Sequence, residues 1–320
     1  MRLANCISVL AMMTLVCNAC TGSAVSSSEA VRSIQLPPIL KVPPTLDELR
    51  NATYSGFAEG PATVTLQDGM WTGPPSAPGA ASRPIVEIAG GFRALGDLDA
   101  DRLDEAVTVL TYRTGGSASF SYLAVMARQN GSVRNIATVA LGDRVQLRSV
   151  QINGGKLLVR AVRGGINDAA CCPGELVEWE WTLNGGRLTS PGAISSGRLS
   201  LAVLAKTDWV LRAWDITEPA GRESEVTLSY DSGHISGMSG CNRYTAGVTE
   251  GKSPGELSVG LLTGTRMACP DVQAAVESRF IEQLTGAQTF GFMLGRLAIS
   301  YTRANGFRGT MLFDLKTPPR

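Results

Sequence analysis

The chain has 320 residues, with 29 basic against 28 acidic side chains and a net charge of +1 at pH 7. A nearly neutral chain offers no electrostatic footprint for nucleic acid and no polybasic patch for an anionic membrane surface, so neither is expected as a partner. The length favours two domains. The chain has one histidine, His234, and no G-x-S-x-G motif, so no catalytic residue is predicted.

The first 45 residues have the composition of an export signal followed by a tether. Arg2 precedes an apolar run at residues 7–16, which is too short to span a membrane and fits the apolar region of a signal peptide. Cys20 follows a small residue and precedes polar ones, an order that resembles a bacterial lipoprotein cleavage site. We expect residues 1–19 to be removed, Cys20 to be lipidated and the Ser- and Pro-rich residues 20–45 to form a tether. The alternatives are ordinary secretion with cleavage nearby and an unstructured tail.

Residues 46–188 are predicted to form a mainly β domain of antiparallel sheet. Short apolar runs at 106–112 and 121–127 lie between turns rich in Gly and Ser, as strands do. Apolar and polar residues alternate strictly over 177–183, and this period of two indicates a half-buried strand. The Gly- and Pro-rich residues 68–84 predict a loop without regular structure.

Hairpin turns are predicted where Asn precedes two glycines, at Asn153 and at Asn184. The segment 188–197 is rich in Gly, Ser and Pro, and it is predicted to be the boundary between the two domains.

Acidic residues alternate in the segment 96–110, which reads GDLDADRLDEAVTVL. It resembles the calcium loops of integrin-type FG-GAP repeats and, more distantly, the EF-hand loop, because alternate side chains in a tight turn bring hard oxygens to one cation. The predicted Ca²⁺ ligands are Asp97, Asp99, Asp101, Glu105 and the main-chain carbonyl of Leu103. Arg102 stands where such loops usually have Gly, which would strain the turn. The alternative is a solvated acidic turn between strands.

Four cysteines follow Cys20 and its signal peptide, namely Cys171, Cys172, Cys241 and Cys269. An even number in an exported chain is consistent with disulfides, and four cysteines allow three pairings, among which counting does not choose. The adjacent Cys171 and Cys172 would stiffen their loop if they closed a ring with each other. One of them pairing elsewhere is the alternative.

The second half, residues 198–316, begins with strand patterns at 207–214 and 224–237 and ends with a hairpin at Asn305–Gly306. Between them, residues 269–287 predict one helix that starts at Pro270 and ends at Gly286. Its apolar stripe is formed by residues spaced four apart: Val272, Val276, Phe280 and Leu284.

Two short motifs of this half carry a family resemblance. The run Gly240-Cys241-Asn242-Arg243-Tyr244 and the later run Thr265-Arg266-Met267-Ala268-Cys269-Pro270 resemble the META domain, the family of the heat-shock protein HslJ. The resemblance covers about residues 200–315. It implies a small α+β domain, with one helix packed on a curved antiparallel sheet. It also implies a bacterial envelope lipoprotein linked to stress, with Asn242, Arg243, Tyr244 and Arg266 as motif residues.

The resemblance and the residues together predict a mainly β or α+β fold of two antiparallel domains. Residues 46–188 are also similar to an uncharacterised envelope domain, which brings no activity with it. Cys241 precedes a turn and Cys269 begins a helix, so they form the natural disulfide pair. The leading expectation is a non-enzymatic, stress-related or binding module, lipid-anchored in the cell envelope at the outer membrane or the periplasmic face, with a possible envelope protein as partner.

The alternative is an enzyme. A helix N-terminus favours a thiolate at Cys269, with Cys241 as its resolving partner, which would make a thiol redox protein. A hydrolase of unrecognised type is the other form of this alternative.

Overall fold

A computed structural model describes residues 42–75, 79 and 81–316, so the predicted signal peptide, Cys20 and nearly all of the tether lie outside the described residues. Residues Lys41–Arg320 form one compact unit. The described part is built almost wholly from antiparallel strands, which confirms the mainly β fold class. No helix within this part is long and apolar enough to cross a membrane.

The first half contains a short helix and three groups of antiparallel strands. Its elements are α1 (Leu46–Arg50), β1 (Thr53–Ser55), β2 (Thr63–Thr65), β3 (Met70–Thr72), β4 (Ile85–Gly96), β5 (Glu105–Arg113), β6 (Ser119–Gln129), β7 (Ser132–Asp143), β8 (Gln146–Asn153), β9 (Lys156–Arg163), β10 (Glu175–Asn184), β11 (Arg187–Thr189) and β12 (Ile194–Arg198).

These strands form two five-stranded sheets and a small hairpin. The first sheet has the order β3-β4-β5-β6-β7, the second has β11-β10-β9-β8 with β12 added to β10, and β1 pairs with β2. One face of the first sheet packs on the second sheet, and its other face is covered by α1 and the β1–β2 hairpin. Because both faces of this sheet are covered, the middle residues of β5 and β6 are buried without alternation and are mostly apolar.

The alternating segment lies in β10 and behaves as predicted. Val177, Trp179 and Trp181 are buried against the first sheet, whereas Glu178 and Glu180 lie on the opposite face. Both glutamates pair with basic residues of β9 there. The turns at Asn153 and Asn184 are also confirmed, since β8 joins β9 and β10 joins β11 at these points.

The second half contains a short 3-10 helix, ten strands and one long helix. Its elements are the 3-10 helix Leu201–Leu204, β13 (Asp208–Trp214), β14 (Glu218–Pro219), β15 (Thr227–Asp231), β16 (His234–Met238), β17 (Arg243–Glu250), β18 (Leu257–Val259), β19 (Thr263–Gly264), α2 (Asp271–Thr285), β20 (Ala287–Met293), β21 (Arg296–Thr302) and β22 (Arg308–Leu315).

The ten strands form one strongly curved sheet that almost closes into a barrel. Its order is β18-β17-β16-β15-β13-β22-β21-β20, with β14 on β13 and β19 on β17. The first and last strands meet where Glu256 bridges Thr289 and the Phe290 amide donates to the Gly255 carbonyl at 2.7 Å. The barrel encloses an apolar core, onto which α2 packs. This confirms the curved sheet with one helix.

The helix departs from its prediction at the N-terminal end. Phe280 and Leu284 are 0% and 1% exposed in the core, but Val272 is 62% exposed. Pro270 is the N-cap residue rather than the first helical residue, and Gly286 caps the C-terminus as predicted. The stripe is therefore fully buried only over its last two turns, and Val272 of the first turn borders a solvent-open cavity with Leu211 and Trp214.

Two segments of the first half hold more structure than their composition predicts. Within residues 68–84, which predicted no regular structure, Met70–Thr72 forms β3 and pairs with β4. Within the predicted boundary at 188–197, β12 pairs with β10, so the second sheet continues to Arg198. The division into domains at 46–188 and 198–316 stays a prediction, and the two halves share an interface.

That interface is centred on the hairpin between β20 and β21. Leu294, at the hairpin tip, packs against the core that lies between the two sheets of the first half. The Gly295 amide donates to the Leu147 carbonyl at 2.9 Å, and the Phe292 amide donates to Oε1 of Gln146 at 3.0 Å. The guanidinium of Arg148 lies 5.1 Å from the centre of the Phe292 ring. The tip of the C-terminal barrel is thus inserted into the first half.

Candidate functional site

The motif residues around Cys241 lie where three elements of the barrel meet. Cys241 precedes β17 and Cys269 precedes α2, and the two are joined by a disulfide with their Cα atoms 6.2 Å apart. The structure thus has the predicted pairing. The bridge fixes the start of the helix to the start of a central strand.

Asn242 occupies the centre of this junction. Its side chain is almost fully buried, at 6% exposure for the residue. Its Oδ1 accepts hydrogen bonds of 2.8 Å from the Thr265 hydroxyl and from the Met267 amide, while its Nδ2 donates to Oε1 of Glu277 at 3.1 Å. A single amide side chain therefore joins β17, the segment before α2 and α2 itself, which gives the asparagine of the motif a structural role.

Glu277 is the acceptor that completes the junction. Its Oε2 accepts from the Ser239 hydroxyl at 2.6 Å and from the Asn242 amide at 2.8 Å. Burial raises the pKa of the Glu277 carboxyl, but the hydrogen bonds from Ser239 and Asn242 outweigh burial and the pKa is lowered overall. The carboxylate is held ionised with both of its oxygens engaged.

The same carboxylate bears on the chemistry of the disulfide. One oxygen of Glu277 and the sulfurs of Cys241 and Cys269 lie within 4.8 Å of one another. Nδ2 of Asn242 lies 3.4 Å from Sγ of Cys269. The amide and the start of α2 favour a thiolate at Cys269, whereas the negative carboxylate opposes one.

Tyr244 and Gly240 are explained by packing. Tyr244 is 5% exposed, its hydroxyl donates to the Thr227 carbonyl at 2.9 Å, and its ring lies edge-on to Phe280 with centroids 5.2 Å apart. Gly240 has φ of +109°, and a Cβ there would lie 2.9 Å from Val276 of α2. This position needs both the backbone freedom and the small size of glycine.

The basic motif residues lie outside this network. Arg243 and Arg266 are both exposed, and neither side chain forms an ion pair or a hydrogen bond with the part of the chain that the structure describes. Arg243 and Arg266, predicted as motif residues from the family resemblance, therefore contribute no side chain to the junction. His234 is exposed at the start of β16, as expected of a polar residue at a strand end.

A second polar cluster fastens the middle of α2 to the barrel. Arg279 donates to both carboxylate oxygens of Glu218, at 2.6 and 2.7 Å, and to Asp215 at 3.3 Å, and it lies 4.5 Å from the ring centre of Trp214. The Tyr301 hydroxyl also donates to Asp215. Burial, and then this hydrogen bond, raise the pKa of Tyr301 to about 12. These contacts fix the helix in place.

The acidic loop connects β4 to β5 and brings three of its carboxylates together. One oxygen each of Asp97, Asp99 and Glu105 lies within 4.8 Å of the other two. Asp101 is outside this group, and its Oδ1 accepts from the Leu103 amide at 2.7 Å. The structure thus assembles three of the four predicted carboxylate ligands.

The turn itself is strained where the sequence indicates. Arg102 has φ of +68°, the left-handed conformation in which such loops usually have Gly, and Ala100 has φ of +64°. The Arg102 amide donates to Oδ2 of Asp97 at 3.0 Å, which helps to hold the turn. Asp104 is exposed and outside the cluster, as expected.

Two buried groups make this cluster different from an ordinary surface turn. Glu105 is 2% exposed, and its one hydrogen bond within the described residues is the 2.8 Å bond that Oε2 accepts from the Leu98 amide. Burial, and then the charges of Asp99, Asp101 and Asp97, raise the pKa of Glu105 to about 7. Oδ1 of Asp97 is buried without a hydrogen-bond partner in that same part of the chain. Negative charge is concentrated here, and no basic side chain of the described residues forms an ion pair with these carboxylates.

The adjacent cysteines lie in a loop between β9 and β10. Cys171 and Cys172 are bonded to each other, with Cα atoms 3.8 Å apart. Asp168 closes the loop, since its Oδ2 accepts from the amides of Gly165 and Gly174 at 2.7 and 2.8 Å. The loop is therefore stiffened at two points, as the ring-closing interpretation predicts.

The sequence did not reveal Glu277 and Ser239, which complete the junction. A single glutamate on an amphipathic helix resembles a solvated residue, and a serine before a glycine resembles a turn. The one available signal is the position of Glu277, next to Val276 and three residues before the buried Phe280, at the edge of the apolar stripe.

Comparison with known proteins agrees with the motifs. Residues 202–310 match the family model of the META domain. Among solved structures, the chain is similar to an NMR structure of a protein from Burkholderia xenovorans, with 28% sequence identity, 40% of this chain and 95% of that chain covered, and a TM-score of 0.29. No curated protein matches the chain.

Proposed function

We propose that this protein, whose C-terminal part contains a META domain, is a lipid-anchored binding module of the cell envelope. It would act in the stress response without catalysing a reaction. The observation that carries this proposal is the junction of Cys241, Cys269, Asn242 and Glu277. There the two cysteines of the motif bond to each other, and Asn242 of the motif bonds to Glu277 of the helix. Such a junction stabilises a fold, and a disulfide suits an oxidising compartment outside the cytoplasm.

The anchor is tested at Cys20. We expect the full chain to fractionate with membranes and its N-terminal peptide to carry acyl chains on Cys20 by mass spectrometry. Cys20→Ser should release the protein from the membrane fraction, because the acyl chains that would hold it there are lost. An unmodified N-terminal peptide, or a wild-type protein found free of membranes, would contradict the anchor.

The stress role is tested in cells. A strain that lacks the protein should survive envelope stress less well than its parent, and the wild-type gene should restore survival. Equal survival under detergent, heat and oxidative challenge would contradict this part of the proposal.

The first half is proposed to bind Ca²⁺ in a structural role at the acidic loop. The three converging carboxylates and the unpartnered Oδ1 of Asp97 support this, since Ca²⁺ prefers several hard oxygens from a flexible turn. The exposed Asp104 of the same loop offers a control.

Calcium binding is measured as a shift in thermal unfolding between Ca²⁺ and chelator. When the free Ca²⁺ concentration is 100 times the Kd of the site, binding stabilises the folded state by about 2.7 kcal/mol. Asp97→Asn with Asp99→Asn should abolish the shift, because two ligands lose their charge, while Asp104→Asn should retain it. No shift in the wild-type protein at millimolar Ca²⁺ would reject the site.

A thiol redox function is the second candidate, and the contact between Asn242 and the Cys269 sulfur favours it. It requires that a mild reductant opens the bridge to expose a reactive thiol at Cys269. Thiol titration of the native protein separates the two proposals, because the negative carboxylate of Glu277 beside the sulfurs leads us to expect a bridge that resists mild reductant.

A further inference from the structure

A groove of about 320 Å³ runs between the loop that holds Cys171 and Cys172 and the outer face of strands β20 to β22. The loop contributes the disulfide and Pro173, and the barrel contributes Thr289, Ser300 and Thr310. Its volume lies within the range of about 300–1,000 Å³ that small-molecule sites usually occupy. The groove is formed by both halves of the protein, so neither half contains it alone.

The loop wall of the groove is held in place before any ligand arrives. The Asp168 side chain is 2% exposed and pairs with Arg198, in addition to its two bonds with loop amides. The hydrogen bond from Arg198 is the largest of the effects that lower the pKa of Asp168 to about 2, so the clamp stays ionised at neutral pH. Arg144 donates to the Ala170 carbonyl at 3.0 Å, and the disulfide follows directly. A preformed wall reduces the entropy lost on binding.

The lining of the groove combines hydroxyl groups with apolar surface. Within the described residues, none of the side chains that line the groove carries a charge. A charged ligand would lose hydration there and find no opposite charge, which disfavours it. The polar groups are the hydroxyls of Thr289, Ser300 and Thr310 and the amide of Gln146, and hydroxyls both donate and accept. Pro173 and the disulfide of the loop provide apolar and polarisable surface, and Pro254, Phe290 and Met293 of the C-terminal half add to it.

We infer that this groove binds an uncharged glycan. The hydroxyls of a sugar match the hydroxyl-bearing barrel wall, and the C–H face of a sugar ring matches the prolines and the disulfide sulfurs. An extended peptide fits less well, because β20 is the end strand of the sheet and its outward main-chain amides at Phe290 and Phe292 already donate to the Gly255 carbonyl and to Oε1 of Gln146. The inference rests on the proposed binding role and gives it a ligand class.

The test uses the full chain and two neutral tetrasaccharides, the β-1,4-linked tetramers of N-acetylglucosamine and of glucose. Titration calorimetry should show saturable binding of at least one of them with a Kd below about 1 mM. Thr289→Trp should abolish binding by filling the groove. An uncharged, capped hexapeptide of Ala and Ser is titrated in parallel.

A pair of double variants locates the site. Ser300 and Thr310 share a 2.9 Å hydroxyl contact inside the groove, and Thr249 and Ser258 share a 2.8 Å hydroxyl contact elsewhere on the barrel. Ser300→Ala with Thr310→Val should raise the Kd about tenfold, whereas Thr249→Val with Ser258→Ala should leave it unchanged. Thermal unfolding of all variants verifies that they are folded.

Three outcomes would overturn the inference. They are no saturable binding of either glycan by the folded wild-type protein, equal weakening by the two double variants, and binding of the peptide in place of the glycans. None of them depends on Cys20, so a failure here is distinct from a failure of the proposed anchor.

Discussion

Glu277 is a half-buried carboxylate and Glu105 a buried one, and their surroundings shift their pKa values in opposite directions. Glu277 accepts three hydrogen bonds, and its pKa is lowered. Glu105 accepts one from Leu98 within the described residues, lies among three aspartates, and has a pKa raised to about 7. Hydrogen-bond donors from the chain satisfy the first, whereas the second has an excess of negative charge.

The difference separates a carboxylate that the chain satisfies with hydrogen bonds from one whose negative charge the described residues leave unpaired. Both lie beside conspicuous motifs, so the motifs alone do not distinguish them. The number of hydrogen-bond donors does distinguish them. Both oxygens of Glu277 accept hydrogen bonds, whereas the acidic cluster contains a buried oxygen, Oδ1 of Asp97, without a partner among the described residues. Four measurements would break or sharpen this contrast.

The largest effect is expected from the disulfide of the satisfied junction. Cys241→Ser with Cys269→Ser removes a crosslink between residues 28 positions apart, and the unfolded chain gains entropy. The free energy of unfolding should fall by about 3–4 kcal/mol in the loop-entropy treatment. Cys171→Ser with Cys172→Ser is the matched control, since its sequence separation is 1 and the expected loss is under about 1 kcal/mol. Urea unfolding measures both, and equal losses would contradict the assignment.

The next effect concerns the carboxylate of the junction. Three groups donate hydrogen bonds to the two oxygens of Glu277, so the NH₂ group of a glutamine would face at least one other donor. Glu277→Gln should therefore destabilise the protein by about 2 kcal/mol. Glu282→Gln, on the exposed side of the same helix, should change the urea midpoint little. A Glu277→Gln protein as stable as the control would show that the junction is dispensable.

The pH dependence of stability follows from the lowered pKa of Glu277. The stabilisation by its ionised form is complete above the ordinary value of 4.5 and is lost as pH falls through the lower folded pKa. The difference in unfolding free energy between wild type and Glu277→Gln should therefore shrink as pH decreases below 4.5. A difference that stays constant from pH 7 to pH 3 would contradict the ionised state.

The smallest effect has the opposite sign. In the presence of a chelator, Glu105→Gln should stabilise the protein by up to about 1 kcal/mol, because it removes one negative charge from the cluster and keeps an oxygen to accept from Leu98. Asp104→Asn is the control in the same loop. Destabilisation by Glu105→Gln under chelator would place Glu105 in the same class as Glu277.

Local sequence patterns predicted the elements well wherever packing is also local. The alternation over 177–183 and the Asn-Gly turns gave strands and hairpins correctly, since side-chain direction and turn type depend on neighbouring residues. The exposure of Val272 was not predicted, because a periodic stripe does not show which turns of a helix pack tightly on the sheet. β3 was missed because its pairing with β4, not its composition, makes it a strand.

The candidate site divides in the same way. The cysteine pair and the strained turn at Arg102 were predictable from spacing and residue type. Glu277 was not, because its partners come from a strand end 35 and 38 residues earlier. The exclusion of Asp101 from the acidic cluster also depends on a local hydrogen bond that the spacing of the acidic residues does not specify.

The insertion of Leu294 into the first half has a consequence for how the C-terminal part can be reused in evolution. The tip of this hairpin packs in a cavity of the first half, which we call the socket. If the C-terminal part were separated from the first half, the apolar tip would be exposed to solvent, so the C-terminal part is not independent of its neighbour. Gly90, where a Cβ would lie 2.7 Å from Leu294, belongs to that socket. A larger side chain at one of these two positions requires a smaller one at the other, so the tip and the socket are expected to covary among related chains that contain both halves.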